Sequence, residues 1–402
     1  MINRLTILWK KYKKIANDFI INIIASGVLT AVLQLLVYPF LANKVSASTY
    51  GIILTIMGVQ NTIINALGNA LNNVRLIQND KYNLKQNGDF NIILLFAVIV
   101  AIIIDFFVFT FIFDQPIMTV LGLVFFAVLG IVRLYYSTAF RMILDLKYIL
   151  YCNCFTAFGY LVGLVIYQIL SFWPIIFIIG EFFGVLFLVK KSFLFDFSFS
   201  ISDNFISTLK KYRDLCSSTA IGSALTYMDR LIILPILGAS MVSTYTVASI
   251  VGKTLGIVML PIANVMLSYF SQRGFSMGNH EYIKITSLST IICTGFYVCT
   301  LLFGKIVINI FYPSLAENAF EYMWIANLAS IIAILGNMIS PIVIKFSPSI
   351  WQVIITGTYA IIYGALSIIL SLKYNLLGFC IASSISNVYR VLLMMIVGYI
   401  GV

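Results

Sequence analysis

The chain has 402 residues, of which 61% are hydrophobic and 10% are charged, and its formal net charge is +11. Soluble domains contain about 45–50% apolar and about 25% charged residues, so this composition excludes a water-soluble globular protein. The apolar residues recur in stretches of about 20, the length that an α-helix needs to cross the hydrocarbon core of a bilayer. The composition therefore predicts an all-α, polytopic membrane protein.

Twelve apolar segments are long enough to be transmembrane helices. They cover residues 19–42, 47–71, 91–113, 117–136, 150–170, 173–189, 215–237, 242–270, 286–309, 320–344, 351–372 and 375–401. The first is longer than the apolar core of a cleaved signal peptide, which is about 7–15 residues, so we expect this helix to be retained.

The lysines and arginines predict the orientation of these helices. Most of the 25 lie at the N-terminus and in alternate loops, while the opposite loops contain only Lys44, Lys305 and Lys373. Because short cytoplasmic loops are enriched in Lys and Arg, both termini are expected in the cytoplasm. Basic loops also attract anionic membrane lipids, so the net positive charge requires no nucleic-acid partner.

A short motif occurs once in each half of the chain. Pro39 and the later Ser48-Thr49-Tyr50 match Pro235 and Ser243-Thr244-Tyr245, at a separation close to half the chain length. An even number of spans separates the copies, which predicts two parallel, pseudo-repeated six-helix lobes. The predicted division is an N-terminal lobe at 1–190, a cytoplasmic linker at 191–213 and a C-terminal lobe at 214–402. Phenylalanines at alternate positions from 193 to 199 favour an extended linker.

Signatures of enzymes and cofactors are missing from the sequence. His280 is the single histidine, there is no phosphate-binding P-loop motif, and the six cysteines do not form a zinc-ligand array. The predicted outer loops are too short for a catalytic domain. We therefore expect a transporter rather than an enzyme, with no cofactor or metal. If transport is uphill, a sodium or proton gradient is one energy source, and the sequence leaves the ion open.

Polar residues form stripes along the first two predicted helices. They are Asn22, Ser26, Thr30 and Gln34 on the first, and Asn61, Asn65, Asn69 and Asn72 on the second. Spacings of three and four residues place each set on one helix face. Hydrogen bonding between helices explains any single stripe. A shared water-filled cavity explains these stripes together with the polar residues of helices 7 and 8.

Six charged side chains lie within predicted spans: Asp105, Glu181, Asp229, Arg230, Lys253 and Arg390. Each would cost on the order of 3 kcal/mol at the bilayer centre, so we expect them to face protein or water, or to pair. Asp229 and Lys253 lie at similar depth on consecutive helices, which leaves an ion pair and a cavity role both open. Deep cations in a polar cavity suit a phosphate or diphosphate group.

Several of these residues carry a resemblance to a known family. Pro39 with Tyr50-Gly51, the run from Asp229 to Tyr245, Pro261 and Gly378 are similar to motifs of the bacterial O-antigen and capsule repeat-unit flippases (Wzx type). These flippases belong to the MATE-like polysaccharide transporter superfamily. The resemblance implies a V-shaped bundle of about twelve helices that works by alternating access. It also implies an undecaprenyl-diphosphate-linked oligosaccharide substrate, moved from the cytoplasmic to the periplasmic leaflet of the inner membrane.

The resemblance implies a role for each candidate site residue. We expect Arg230, Lys253 and Arg390 to attract the diphosphate, and Arg75 to meet it first at the cytoplasmic mouth of the second helix. Asn22, Asn61 and Asn65 are expected to contact water or glycan, and Asp229 to couple an ion or balance charge. A polysaccharide polymerase and chain-length machinery are the expected protein partners.

Three alternatives remain open. A MATE-like sodium- or proton-coupled exporter of small molecules would depend on Asp105, Glu181 or Asp229 rather than on the arginines. A membrane enzyme, such as an O-antigen polymerase, is disfavoured by the short outer loops. A major-facilitator carrier is disfavoured because the loop at 75–89 lacks the Gly/Asp/Arg-rich signature of that family.

Overall fold

The computed structural model describes residue 24 and residues 27–83, 86–143, 145–196, 198–270, 276–348 and 350–402. Helices fill almost all of these ranges, and none of the residues described is in a β-strand. The helices are α1 (Gly27–Lys44), α2 (Ala47–Ile77), α3 (Gly88–Ile112), α4 (Ile117–Met142), α5 (Leu146–Leu170), α6 (Pro174–Lys191), α7 (Phe205–Thr226), α8 (Met228–Leu237), α9 (Ala239–Ala248), α10 (Ile250–Phe270), α11 (Asn279–Phe311), α12 (Pro313–Phe346) and α13 (Ile350–Gly401).

The helices confirm an all-α, polytopic membrane protein. Within the described residues, eight are long and apolar enough to cross a membrane, and α7 with α8 would make a ninth. The 52-residue α13 contains a break at Tyr374 and Asn375, where Asn375 has φ of 51°. Asparagine tolerates positive φ better than most residues, so the chain divides there into the last two predicted segments. Each of the twelve predicted segments overlaps at least one of the described helices.

The chain forms two compact units by its internal contacts. Unit 1 contains the described residues up to Val37 together with Ile56–Tyr227, and unit 2 contains Tyr38–Thr55 together with Met228–Val402. The lobe and linker boundaries expected from the sequence stay a prediction.

In unit 1, glycines bring the backbones of α5 and α6 close together. A Cβ atom added to Gly163 would lie 2.6 Å from the Cα of Ile176, and one added to Gly180 would overlap the ring of Tyr160. Small residues permit this approach in membranes, where packing rather than the hydrophobic effect holds helices together. Large apolar side chains elsewhere in unit 1 are exposed, among them Phe96, Ile103 and Phe111 on α3.

The segment between α6 and α7 is held on unit 1 by side chains near the start of α3. Asn87 donates to the carbonyl oxygen of Leu194 at 3.1 Å, and Asn91 donates to those of Asp196 and Ser198 at 2.8 and 2.9 Å. The described residues between Ser192 and Asn204 are non-helical, and the extended conformation expected from the sequence stays a prediction.

Helix α7 begins ten residues before the apolar segment predicted at 215, because hydropathy detects an apolar core and not the polar turns that precede it. The polar run Ser202-Asp203-Asn204 lies directly before its first residue, Phe205.

In unit 2, the two copies of the repeated motif pack against each other. The hydroxyl of Ser243 donates to the carbonyl oxygen of Ala47 at 2.5 Å. A Cβ atom on Gly51 would overlap the carbonyl oxygen of Ala239, so the N-terminal turns of α2 and α9 are in backbone contact. Tyr50 and Tyr245, the matching tyrosines, are both buried. One apolar cluster of unit 2 lies between α12 and α13 and contains Ile339, Val343, Ile355, Val391, Met394 and Val397.

Candidate functional site

Asp229, in the first turn of α8, is the centre of a buried charge cluster in unit 2. Its Oδ1 accepts the backbone N–H of Arg230 at 2.8 Å, and its Oδ2 accepts from Nζ of Lys253 at 2.5 Å. The Asp229 side chain is 9% exposed and that of Lys253 is 36% exposed. The ion pair that the sequence left open is therefore present, and its cation keeps access to the exterior of the unit.

Arg230 extends its side chain to a different partner. Its Nη1 donates to the carbonyl oxygen of Leu54 in α2 at 2.8 Å, and the residue is 8% exposed. Adjacent residues on a helix point about 100° apart, which separates this guanidinium from the Asp229 carboxylate. Arg230 thus connects α8 to α2 inside unit 2, and binding a substrate phosphate would require it to leave this position.

Arg390, on α13, has a polar and aromatic environment. Its Nη2 donates to Oδ1 of Asn337 at 3.1 Å, and its Cζ lies 5.4 Å from the ring centroid of Tyr359. Gly336 lies beside the guanidinium, since an added Cβ would be 3.8 Å from Cζ. In the described part of the chain, no carboxylate lies within ion-pair distance of Arg390. Among the described residues, its partners are the amide oxygen of Asn337 and the π-face of Tyr359.

A chain of aromatic rings joins Arg390 to Lys253. The ring of Tyr359 stacks on Tyr363 at 5.6 Å, Tyr363 contacts Phe379 at 6.1 Å, and Phe379 contacts Tyr245 at 5.0 Å. Nζ of Lys253 lies 4.7 Å from the centroid of Tyr245.

Sequence reasoning singled out Tyr245 within the repeat but missed the other three rings of this chain. The four-residue spacing of Tyr359 and Tyr363 was the available signal, because such a pair lies on one helix face.

The unit 1 candidates have more varied environments. Arg75 is fully buried, donates to the carbonyl oxygen of Asn83 at 3.2 Å and places its Cζ 4.8 Å from the Phe90 centroid. The Arg75 side chain is therefore enclosed by protein and is not exposed at the end of α2. Asn61 and Asn65 are half-buried, and Asn65 begins a π-helical turn that ends at Asn69. Such turns often occur at functional sites. Asn22 lies outside the described residues.

Two acidic residues in unit 1 are also buried. Glu181 accepts hydrogen bonds from the Arg133 guanidinium and, at 2.9 Å, from the hydroxyl of Tyr160. Asp105 accepts from the amide of Gln60 at 2.9 Å. The expectation that charged side chains within spans avoid lipid by facing protein or pairing is confirmed for both acids. The partners Arg133 and Gln60 were not identified from the sequence.

No group of three or more His, Cys, Asp or Glu side chains within the described residues is arranged to hold a metal ion.

Comparison with known proteins identifies solved structures that have this architecture. No family model matches the sequence, and no curated protein matches it. Solved structures do match over nearly the whole chain. The lipid II flippase MurJ in an inward closed conformation superposes with a TM-score of 0.70 and 14% identity, covering 95% of this chain and 86% of MurJ. An inward-facing multidrug resistance MATE transporter of the MOP superfamily superposes with a TM-score of 0.67 and 12% identity, covering 94% of each chain. The chain therefore shares the fold of these two solved structures.

The likeness extends to other members of this fold class. A eukaryotic MATE transporter superposes with a TM-score of 0.61 and 13% identity, covering 96% of this chain and 95% of its own. At these identities the similarity concerns the fold, and the site of the present chain has to be argued from its own residues. Those residues are the cations and rings of unit 2 and the buried acids of unit 1.

Proposed function

We propose that the protein is a flippase that moves undecaprenyl-diphosphate-linked oligosaccharide repeat units, of the O-antigen or capsule type, across the bacterial inner membrane. The direction is from the cytoplasmic to the periplasmic leaflet, by alternating access, with both termini in the cytoplasm. The MOP-type fold supports this proposal, since it serves both the lipid II flippase and multidrug exporters. The side chains of this protein favour a lipid-linked substrate over a drug.

The observation that carries the proposal is the environment of Arg390. This half-buried guanidinium is bound by an amide oxygen and faces a tyrosine ring, and no described carboxylate lies within 4 Å of it. A planar guanidinium binds phosphate oxygens through paired, charge-assisted hydrogen bonds. A diphosphate would supply the negative charge that its surroundings lack.

Lys253 and Arg230 would complete a cationic site in unit 2. Lys253 is already partly exposed, and a diphosphate would compete with Asp229 for its ammonium group. Asp229 would then balance charge while the site is empty, and its predicted role in ion coupling stays a prediction. Arg230 would join after its hydrogen bond to Leu54 is released.

The aromatic chain and the asparagines suit the glycan part of this substrate. Sugar rings have apolar faces that stack on tyrosine, and Tyr359 is the half-buried end of the chain. Asn61 and Asn65 offer amide donors and acceptors to hydroxyl groups. Arg75, which is buried, would receive a headgroup only after the packing around Phe90 opens.

The acidic residues argue against a cationic drug as the main substrate. Glu181 is bound by Arg133 and Tyr160, and Asp229 is bound by Lys253, so two of the three candidate acids are already neutralised. The third, Asp105, is fully buried.

The test is genetic complementation with lipid analysis. The gene is deleted in a host without a redundant transporter, and wild type, Arg390→Ala, Arg390→Lys or Lys373→Ala is restored at matched abundance. Lys373→Ala is the matched control, because Lys373 is an exposed cation on the same helix and contacts the ring of Tyr374. Lipid-linked repeat units and surface polysaccharide are then quantified.

We expect lipid-linked units to accumulate in the deletion strain and to clear with wild type and Lys373→Ala. Arg390→Ala should leave at least a tenfold defect, and Arg390→Lys an intermediate one, since lysine keeps the charge but not the bidentate geometry. Normal surface glycan in the deletion strain would refute the flippase. Full activity of Arg390→Ala would refute the cationic site.

A further inference from the structure

Asp105 is a buried carboxylate on α3 with one hydrogen-bond donor. It is 0% exposed, and its Oδ2 accepts from Nε2 of Gln60 on α2 at 2.9 Å. The same nitrogen donates to the carbonyl oxygen of Leu123 on α4 at 2.8 Å. Three helices of unit 1 therefore meet around this side-chain pair.

Each member of the pair leaves one oxygen without a hydrogen-bond donor among the described residues. Oδ1 of Asp105 and Oε1 of Gln60 are both buried, and neither accepts a hydrogen bond within the described part of the chain. Burial of a polar atom without a hydrogen bond is unfavourable, so two such oxygens, one on the Asp105 carboxyl group and one on the Gln60 amide, require an explanation. A proton on Oδ1 would supply a donor to Oε1 and would satisfy both atoms at once.

No cation among the described residues is placed to stabilise an ionised Asp105. Among the described residues it forms no ion pair within 4 Å. The charged groups on α2, α3 and α4 are engaged elsewhere: Arg75 with Asn83 and Phe90, Asp89 with Tyr82 and Ser202, Arg133 with Glu181, and Arg141 with Asn72.

Distance also separates Asp105 from the nearest of these groups on its own helix. Asp89 precedes it by sixteen residues, about 24 Å of helix. The tyrosines of the same helices are also distant along the chain, since Tyr135 and Tyr136 of α4 follow Leu123 by twelve or more residues and Tyr50 of α2 precedes Gln60 by ten.

We propose that Asp105 and Gln60 form a proton-binding site, in which the resting carboxyl group holds one proton on Oδ1 and donates it to Oε1 of Gln60. An unpaired carboxylate buried in protein is far more costly than the neutral acid. One proton completes the hydrogen bonding of both groups, whereas a sodium ion needs several further oxygen ligands. The carbonyl of Leu123 already accepts from Gln60.

This site would couple a proton to movement of α3. Release of the proton leaves a carboxylate whose only described donor is Gln60, and that state becomes favourable when water enters between the helices. Proton loss and opening of the packing around Asp105 are then linked, so each promotes the other. This coupling rests on the proposed transport function, whereas the proton site itself does not.

Infrared spectroscopy of the purified full-length protein tests the site directly. The carbonyl stretch of a protonated carboxylic acid lies well above the carboxylate bands, and a single such group is assigned by substitution. Asp105→Asn is an isostere of the protonated acid and should fold normally. Asp114→Asn is the matched control, because Asp114 is exposed, follows the same helix and has φ of 48°, which asparagine tolerates.

At neutral pH we expect one protonated carboxyl band in wild type and Asp114→Asn that is absent from Asp105→Asn. Gln60→Leu should shift this band to higher frequency, because the amide N–H no longer weakens the carbonyl bond. An ionised Asp105 at neutral pH would overturn the proposal. Loss of the band on adding sodium chloride at constant pH would overturn it in favour of a sodium site.

Transport in proteoliposomes tests the coupling separately. Wild type should move lipid-linked repeat units faster when a pH gradient is imposed, and Asp105→Asn should lose at least tenfold of that stimulation. An unchanged response of Asp105→Asn would overturn the coupling. Absence of any transport by wild type, with the carboxyl band present, would refute the proposed substrate and leave the proton site intact.

Discussion

The guanidinium of Arg230 donates a hydrogen bond to the carbonyl oxygen of Leu54, 2.8 Å away, and so joins residues 176 positions apart in the chain. Leu54 lies on α2 close to the first copy of the repeated motif, and Arg230 lies on α8 just before the second copy. Residues next to the two copies of the repeated motif therefore supply both sides of one contact within unit 2. Arg230, which the sequence suggested as a cation that binds the substrate, therefore also connects α8 to α2.

Replacing Arg230 with alanine should destabilise the protein. Hydrogen bonds from charged groups contribute about 1.5–3 kcal/mol, and the substitution would remove the one that the guanidinium donates to Leu54. We expect Arg230→Ala to lower the thermal midpoint in detergent by several degrees and Arg230→Lys to lower it less. Lys373→Ala, which removes an exposed cation, should leave the midpoint unchanged. Equal midpoints for wild type and Arg230→Ala would contradict the link to Leu54.

Gly51 should tolerate no side chain. A Cβ atom there would overlap the backbone carbonyl of Ala239, and backbone cannot move aside as a flexible side chain can. Overpacking typically costs about 1–3 kcal/mol, so we expect Gly51→Ala to reduce the yield of folded protein several-fold. Gly295→Ala is the matched control on helix α11, because an added Cβ meets no atom within 4 Å. Size-exclusion profiles of both variants check this, and equal profiles would show that α2 and α9 are not in close contact.

The ion pair between Arg133 and Glu181 predicts strong non-additivity. Glu181 is 3% exposed and Arg133 is 11% exposed, so either charge alone would be buried without its partner. Breaking a buried pair costs about 3–5 kcal/mol, whereas replacing both members with apolar groups is often neutral. We therefore expect Glu181→Gln and Arg133→Met each to lower the thermal midpoint strongly, and the double variant to recover most of the loss. A double variant with the summed loss would argue against a direct interaction.

The segment from 192 to 204 should be released by a single substitution on α3. Asn91 binds the carbonyl oxygens of Asp196 and Ser198, and Asp89 accepts from Ser202. Burial raises the pKa of the Tyr82 phenol above its ordinary value, so this group stays protonated and donates to Asp89 at 2.7 Å. Asn91→Ala removes two of these hydrogen bonds.

Trypsin sites flank this segment at Lys190, Lys191, Lys210 and Lys211. We expect Asn91→Ala to be cleaved at least several-fold faster there than wild type, while the fold of each fragment persists. Asn318→Ala serves as the control, because Asn318 is exposed on α12 in unit 2. Identical cleavage rates for wild type and Asn91→Ala would show that these amides do not restrain the segment.

The sequence determines some of these features and not others. Helix positions follow from apolar length, and the Asp229–Lys253 pair could be foreseen because both residues lie at similar depth on consecutive helices. Arg133 and Glu181 are 48 residues apart, and their contact depends on the packing of α4 against α6. No local pattern encodes that packing.

The environment of Arg75 could not be predicted from the sequence either. Its position near the end of α2 suggested a first contact with the headgroup, which stays a prediction, while its burial against Phe90 and Tyr82 could not be predicted. Long-range packing therefore decides which charged residues reach water.

Substitutions of Tyr359 distinguish a structural role of the aromatic rings from a role in binding the substrate. Its ring lies under the guanidinium of Arg390 and stacks on Tyr363 with an interplanar angle of 4°. Tyr359→Phe keeps the ring, so it should retain transport of lipid-linked repeat units. Tyr359→Leu removes the π-face, which contributes about 0.5–2 kcal/mol to holding a cation, and we expect a 3- to 30-fold loss of transport.

The distinguishing measurement is transport at matched abundance together with the thermal midpoint. Tyr359→Leu should lower transport while changing the midpoint little, because the ring is half-buried and at the end of the aromatic chain. A large fall in the midpoint with proportionate loss of transport would assign Tyr359 to packing. Equal transport by the leucine and phenylalanine variants would remove the ring from the proposed site and leave Arg390 to bind its anion through the guanidinium and Asn337 alone.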